Sequence, residues 1–266
     1  MSTTPEASAP PPRKRRPPRR VEVTNVQVLS PAMRRITLKG TELEGFAPEL
    51  PASYIKLIFP EPGQTEPERP LPDAPRPKAM RTYTPLAVRP EVHEVDVDFV
   101  LHGEGPASTW AAQAKVGNVI FLMGPGPGYA LDKTATEHLL IADDSALPAV
   151  ENILSELPAS AKVQLLVEVI SADEERPLKS AAKLTTQWLA RGTDHREAGK
   201  PLEQALRVLA ISADAKIYLA CEAAAMRRIR KLLTDELGID RKNIVGRGYW
   251  KLDVVNHPDH DYGEGD

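Results

Sequence analysis

The period of the hydrophobic pattern changes near residue 130, and that change constrains the fold more than any single motif. Before it, apolar residues recur in short runs of strand character: 21–29 (Val21, Val23, Val26, Val28), 34–38, 54–59, 81–88, 92–101 and 119–123. Gly- and Pro-containing turns separate the runs, and one short helix pattern, 106–115, interrupts them. Six short strands over about 100 residues predict a small antiparallel barrel of Greek-key type. After residue 130, β-rich apolar runs (138–142, 163–169, 185–189, 217–220 and 244–250) alternate with helical spacing over 147–157, 201–209 and 226–237. Pro148 suits a first helical turn, Pro158 ends that helix, and Gly238 stops the last one. Alternating strands and helices predict a doubly wound α/β unit with a parallel sheet. The expected organisation is a barrel over 21–130 and an α/β unit over 131–252, between tails at 1–20 and 253–266.

Composition narrows what such a chain does. With 266 residues, 41% of them hydrophobic, one or two well-filled cores are expected. No apolar run approaches the ~20 residues of a membrane-spanning helix. The single cysteine, Cys221, excludes an internal disulfide framework, a zinc finger and a cysteine-ligated iron–sulfur cluster, and suits a reducing compartment. Glu222 beside it opposes a lowered thiol pKa, so Cys221 reads as an unreactive small residue.

The net charge of -3 is unevenly placed. Residues 1–20 hold six basic groups, one acid and six prolines, which leaves the remainder strongly acidic. That tail buries too little to offset its ordering entropy and reads as a disordered, solvated extension. The alternation from Val21 onward lacks the apolar core of a signal peptide. The acidic body and the lack of interleaved aromatics speak against nucleic-acid binding through the tail. Residues 60–79 carry seven prolines and read as a long surface loop between two strands. The end, from His257 to Asp266, is expected to fray without holding a metal.

Four strings carry chemistry. Arg81-Thr82-Tyr83-Thr84 opens a barrel strand. Arginine forks onto phosphate, tyrosine lays a face on a planar ring, and a neighbouring hydroxyl addresses a ring nitrogen. His102-Gly103-Glu104-Gly105-Pro106-Ala107-Ser108 runs from a strand through a glycine turn into a short helix. Free backbone N–H groups at such a turn suit an anion. Trp110 in the same segment reads as core. Asp143-Asp144-Ser145-Ala146 follows the first α/β strand, at the carboxyl edge where ligands bind, and fits a helix cap as well as a dinucleotide contact. Tyr249-Trp250-Lys251 ends the last strand, with two aromatics to cover a flat ring and a cation to meet an anion.

In that order these strings resemble the siderophore-interacting proteins, a branch of the ferredoxin reductase-like flavoproteins. Met33-Arg34-Arg35-Ile36-Thr37-Leu38-Lys39-Gly40 and Tyr54-Ile55-Lys56-Leu57 extend the resemblance over roughly residues 21–252. It implies an FAD-binding barrel, an NAD(P)H-binding α/β unit and reduction of ferric siderophores in the cytoplasm. By the same resemblance Arg81 faces the FAD phosphates, with Tyr83 and Thr84 near the isoalloxazine. His102, Gly103, Ala107 and Ser108 bound the pyrophosphate. Asp143, Ser145 and Ala146 lie near adenine or the nicotinamide donor, Trp250 borders the cofactor, and Lys56 and Lys251 meet the siderophore.

Three segments depart from the family's pattern. Ala142 and Cys221 replace two glycines, and Gly124-Pro125-Gly126-Pro127-Gly128 lacks a usual basic residue. The electron donor is left open between NADH, NADPH and reduced ferredoxin. No catalytic base or metal-ligand constellation is present, as expected where the cofactor carries the chemistry. Two other readings stay open: a reductase of the same fold for ferredoxin or a small acceptor, and a flavin- or siderophore-binding protein without turnover. The working unit is expected to be a monomer.

Overall fold

The computed structural model describes residues 17–71, 75–102 and 105–254. Two sheets organise them. The first is antiparallel and contains β1 (Arg19–Ser30), β2 (Met33–Lys39), β3 (Ile55–Ile58), β4 (Met80–Tyr83), β5 (Pro85–Arg89), β6 (Glu94–Val100) and β7 (Val119–Met123). Its order is β4-β3-β7-β1-β2-β6-β5. The seven strands correct the expected six, because 81–88 is not one strand. Tyr83 pairs with Ile55 of β3, whereas Pro85 pairs with Val97 of β6. Thr84 therefore joins the two outer strands, and the chain links both edges of the curled sheet through this one residue. Pro85 supplies no N–H to continue the first ladder.

β1 also begins earlier than the alternation predicts. Arg19 is buried over the Phe46 ring at 5.4 Å and donates from Nη1 to Gly124 O at 3.0 Å. Period two then places Val21 and Val23 in the barrel core with Ile36, Leu57, Val97 and Phe99. Helix α1 (Pro106–Gln113) packs against that core through Ala107 and Ala111. Trp110 adds its ring against Phe59 at 5.1 Å and Phe99 at 5.7 Å, a core role as expected.

The second sheet is parallel throughout, in the order β10-β9-β8-β11-β12. Its strands are β8 (Glu137–Asp143), β9 (Lys162–Val169), β10 (Lys183–Ala190), β11 (Lys216–Glu222) and β12 (Ile244–Trp250). Alternation divides each strand between two cores. Leu140 and Ala142 of β8 pack under α2 (Leu147–Glu156), while Leu139 and Ile141 face α3 (Lys200–Val208) and α4 (Ala223–Lys231). Burial on both faces explains the continuous apolar runs of the sequence.

Polar contacts fix one sheet against the other. Glu174 accepts from Ala32 N at 3.0 Å and from the Ser30 hydroxyl. Asn152 Nδ2 donates to Leu86 O at 2.9 Å. The Asp98 carboxylate, 1% exposed, accepts from Arg35 Nε and Nη2 at 2.7 and 2.9 Å. Arg176 bridges Asp98 and Glu151 at 3.5 and 2.7 Å. Asp98→Ala takes the carboxylate from Arg35 and leaves Arg176 with the Glu151 carboxylate, and removal of one partner from a buried pair costs about 3 kcal/mol. A lower urea midpoint at pH 7 is the expected result, and an unchanged midpoint would show the network to be dispensable.

Candidate functional site

The carboxyl ends of the parallel strands face the mouth of the curled sheet across a cleft of about 580 Å³. Residues from all four strings line it. Arg81, Tyr83 and Thr84 come from the strand break, His102 and Ser108 from the α1 turn, Ser145 from the α2 turn, and Trp250 and Lys251 from the end of β12. Tyr54, from the approach to β3, completes one wall.

Tyr83 rests on Phe99, ring centroids 4.5 Å apart, and meets Phe59 edge-on at 6.4 Å. Those contacts fix its plane, and burial pushes its phenol pKa up. Arg81 Nη1 donates to Lys78 O and Met80 O, both at 2.9 Å, so the backbone entering β4 fixes its guanidinium. In the α1 turn, His102 N donates to Ser108 Oγ at 3.1 Å. Among the described residues no side chain caps α1, and a Cβ on Gly105 would meet only His102 Cε1, at 3.9 Å. Open space, the α1 N–H groups and a guanidinium lining the same cleft fit a diphosphate; the flat Tyr83 ring that also lines it fits an isoalloxazine. Ala107 borders this turn and also packs into the barrel core. Gly103 lies outside the described residues.

The α2 turn is built differently. Asp143, 2% exposed, sits behind the cleft wall. Its Oδ1 accepts from Ser145 N at 3.0 Å and Ser145 Oγ at 2.5 Å, and its Oδ2 from Trp250 Nε1 at 2.7 Å. Asp143 thus caps the turn and fixes Trp250 at the cleft. His195 meets the Trp250 ring edge-on at 5.8 Å. Ala146 is fully buried against the α2 core and does not line the cleft, because the turn directs its methyl inward.

Asp144 and Glu168, 6% and 2% exposed, complete a buried acidic group around Arg191. The Arg191 guanidinium lies 3.2 Å from Glu168 and 3.8 Å from Asp144, and its Nη1 meets His195 Nδ1 at 3.0 Å. Burial first, then the Asp143 charge, raises the Asp144 carboxyl pKa to about 7 and that of Glu168 to about 8. Burial also raises the Cys221 thiol pKa, in keeping with an unreactive residue.

Lys56 on β3 does not line the cleft itself. Its Nζ lies 6.0 Å from the centre of the Tyr54 ring, which does. That ring rests against Gly126, where any Cβ would collide with it. The Gly-Pro-Gly-Pro-Gly segment therefore seats the Tyr54 ring through Gly126. Arg76, Arg191, His195, Tyr218 and Arg247 also line the cleft. None stands in a string that carries a chemical signal; Tyr218 reads only as strand core.

The two sheets share the fold of the ferredoxin reductase-like class. The chain belongs to the siderophore-interacting protein family, as the order of its four strings implied. The family's siderophore-interacting FAD-binding domain matches residues 22–129, and its siderophore-interacting protein domain matches residues 135–253. The cofactor of the class is FAD.

The chain is 31% identical to the ferric vibriobactin reductase of Vibrio cholerae, over 88% of this chain and 89% of that one. It is 29% identical to the NADPH-dependent ferric-chelate reductase of Escherichia coli, over 87% and 92%. A siderophore utilization protein from T. fusca superposes with a TM-score of 0.79 at 31% identity, over 92% and 98%. Among the described residues no helix is long and apolar enough to cross a membrane, and no group of His, Cys, Asp and Glu could hold a metal ion.

Proposed function

We propose that this protein is an FAD-dependent ferric-siderophore reductase, releasing iron as Fe(II). One observation carries the reading: residues from all four strings, far apart in sequence, line one cleft between the two sheets. The names of the Vibrio cholerae and Escherichia coli relatives support the same chemistry.

Bound in the cleft, FAD supplies the conversion that the reaction needs, taking two electrons from a donor and giving them singly to ferric iron. The protein's own residues bind and orient. Arg81 and the α1 turn hold the diphosphate, with His102, Gly103, Ala107 and Ser108 around it. Tyr83 and Thr84 border the ring. Asp143 holds Trp250 as the opposite wall, while Ser145 and Ala146 shape the turn on which the donor docks. A nicotinamide dinucleotide is the proposed donor, supported by the parallel sheet order and by the NADPH-dependent relative; reduced ferredoxin is the alternative. Ferric iron enters and leaves as substrate, and loss of one positive charge weakens its bonds to the siderophore oxygens. One chain supplies every described wall of the cleft, so the proposed working unit is the monomer. The proposed setting is the cytoplasm, in keeping with a single, buried, free cysteine.

Lys56 and Lys251 attract the anionic ferric complex to the cleft mouth. Lys56→Ala with Lys251→Ala is expected to raise the ferric-siderophore KM about tenfold, an effect of roughly 1.4 kcal/mol, at nearly constant kcat. An unchanged KM would remove both residues from the substrate site. The reading as a whole is tested by supplying FAD, NADPH or NADH and a ferric siderophore, and trapping Fe(II) with a ferrous-specific chelator. Steady Fe(II) formation that requires the protein is expected. Protein that binds FAD yet forms no Fe(II) with any donor would contradict it.

A further inference from the structure

A chain of three hydroxyl groups runs from the parallel sheet to the strand break. Tyr218 on β11 and Tyr249 on β12 meet through their hydroxyl oxygens at 3.1 Å, and Tyr249 meets Thr84 Oγ1 at 3.4 Å. We propose that Tyr218 and Tyr249 are positioning residues that turn the Thr84 hydroxyl proton into the cleft, toward the flavin ring. The inference rests on the placement of FAD proposed above.

Burial sets the direction of the chain. Tyr218 is 1% exposed, and its ring packs on Tyr129 with centroids 5.0 Å apart. Its hydroxyl has one hydrogen-bond partner among the described residues, Tyr249. Donation from Tyr249 would leave the buried Tyr218 O–H without an acceptor, whereas donation to Tyr249 pairs it. Buried polar groups are paired in native structures. Tyr218 therefore donates to Tyr249. The Tyr249 oxygen is then the acceptor of that bond, and its own proton goes to Thr84. Thr84 accepts, so its proton is left over. Thr84 is 6% exposed and borders the cleft, and among the described residues Tyr249 is its one side-chain hydrogen-bond partner, so that proton can turn into the cleft.

The Thr84 link is long for an O–H···O bond. Such contacts tighten when the site is filled. Each donor in a chain of this kind strengthens the next. A proton donated by Thr84 to a ring nitrogen favours the more electron-rich, reduced flavin. The tyrosines thereby raise the flavin potential without touching it. Thr84 is also the residue that links the two edge strands of the first sheet, so the hydroxyl chain ties that link to β11 and β12.

The test is a double-mutant cycle on the FAD-loaded full-length protein, read as the two-electron flavin potential by photoreduction against a reference dye. Tyr249→Phe is expected to shift the flavin redox equilibrium three- to tenfold toward the oxidised form, about 15–30 mV lower. Thr84→Val is expected to lower it at least as far, and Tyr249→Phe added to Thr84→Val to change nothing more. Thr84→Ser, which keeps the hydroxyl, is expected to hold the wild-type potential. Tyr218→Phe supplies a second variant, with a smaller shift of the same sign. A Tyr249→Phe shift that persists undiminished beside Thr84→Val, or no shift at all, overturns the proposal. The readout needs no ferric substrate. Coupled potentials in a protein that forms no Fe(II) would refute the reductase reading alone, and additive potentials in an active reductase would refute the hydroxyl chain alone.

Discussion

Replacing Arg81 by alanine is expected to weaken FAD binding about 100-fold. The guanidinium is fixed by the Lys78 and Met80 carbonyls and borders the cleft that the α1 turn also lines. Hydrogen bonds to a charged group are worth roughly 1.5–3 kcal/mol, and the upper end of that range is about two decades in Kd. Arg81→Lys keeps the charge and loses the fork, so it should recover only part of the affinity. Titration of FAD into the stripped protein, followed by flavin fluorescence, measures both variants. Wild-type affinity in Arg81→Ala would move the diphosphate away from this wall. Tyr83 is a weaker test of binding alone, because it also packs on Phe99 and Phe59, and its removal would disturb the barrel core.

The acidic group at the opposite wall gives the second large effect. Asp144 and Glu168 titrate at about 7 and about 8 in the folded protein, against roughly 4 in an unfolded chain. Both shifts are upward, so the folded state holds protons that the unfolded state releases. Stability from these groups is therefore full at acidic pH and is lost as pH rises toward 8. Between pH 6 and pH 8.5 the two groups together release about three pKa units of this stability, and with ~1.4 kcal/mol per unit and ~2–4 °C per kcal/mol for a chain of this size, Tm should fall by roughly 8–16 °C. Asp194, Asp235 and Asp240, held low by basic neighbours, titrate below that window and do not offset it. Asp144→Asn is expected to flatten the fall and to raise Tm at pH 8.5. A Tm constant from pH 6 to pH 8.5 in both proteins would show Arg191 to be sufficient counter-charge for the group.

The sheets were legible because each imposes its own period. Alternation in β1 buries Val21 and Val23, and continuous apolar runs mark β8 and β11, which are covered on both faces. The break at Thr84 was not legible: Arg81-Thr82-Tyr83-Thr84-Pro85-Leu86-Ala87-Val88 reads as one strand, and Pro85 is its only local sign. The cleft was visible as four strings but not as one place, since long-range pairing brings them together. Asp143 fitted a cap and a ligand contact equally well in sequence. Its three hydrogen bonds show the cap, and its bond to Trp250 is a contact between residues 107 positions apart that no local pattern encodes. Ala146 belongs to the same string, yet faces the core. The hydroxyl chain was hidden for the same reason, because Tyr218 read only as a strand residue and Tyr249 only as an aromatic cover for a flat ring.

The central claim is that the cleft holds a flavin which passes electrons to a ferric siderophore. An absorption spectrum of the purified, FAD-supplemented protein under nitrogen tests it most directly. The flavin bands should bleach on addition of NADPH, NADH or reduced ferredoxin, the fastest of which identifies the donor, and return when a ferric siderophore is added. Protein that stays colourless and takes up no FAD, or whose bleached flavin persists in the presence of the ferric complex, would contradict the account.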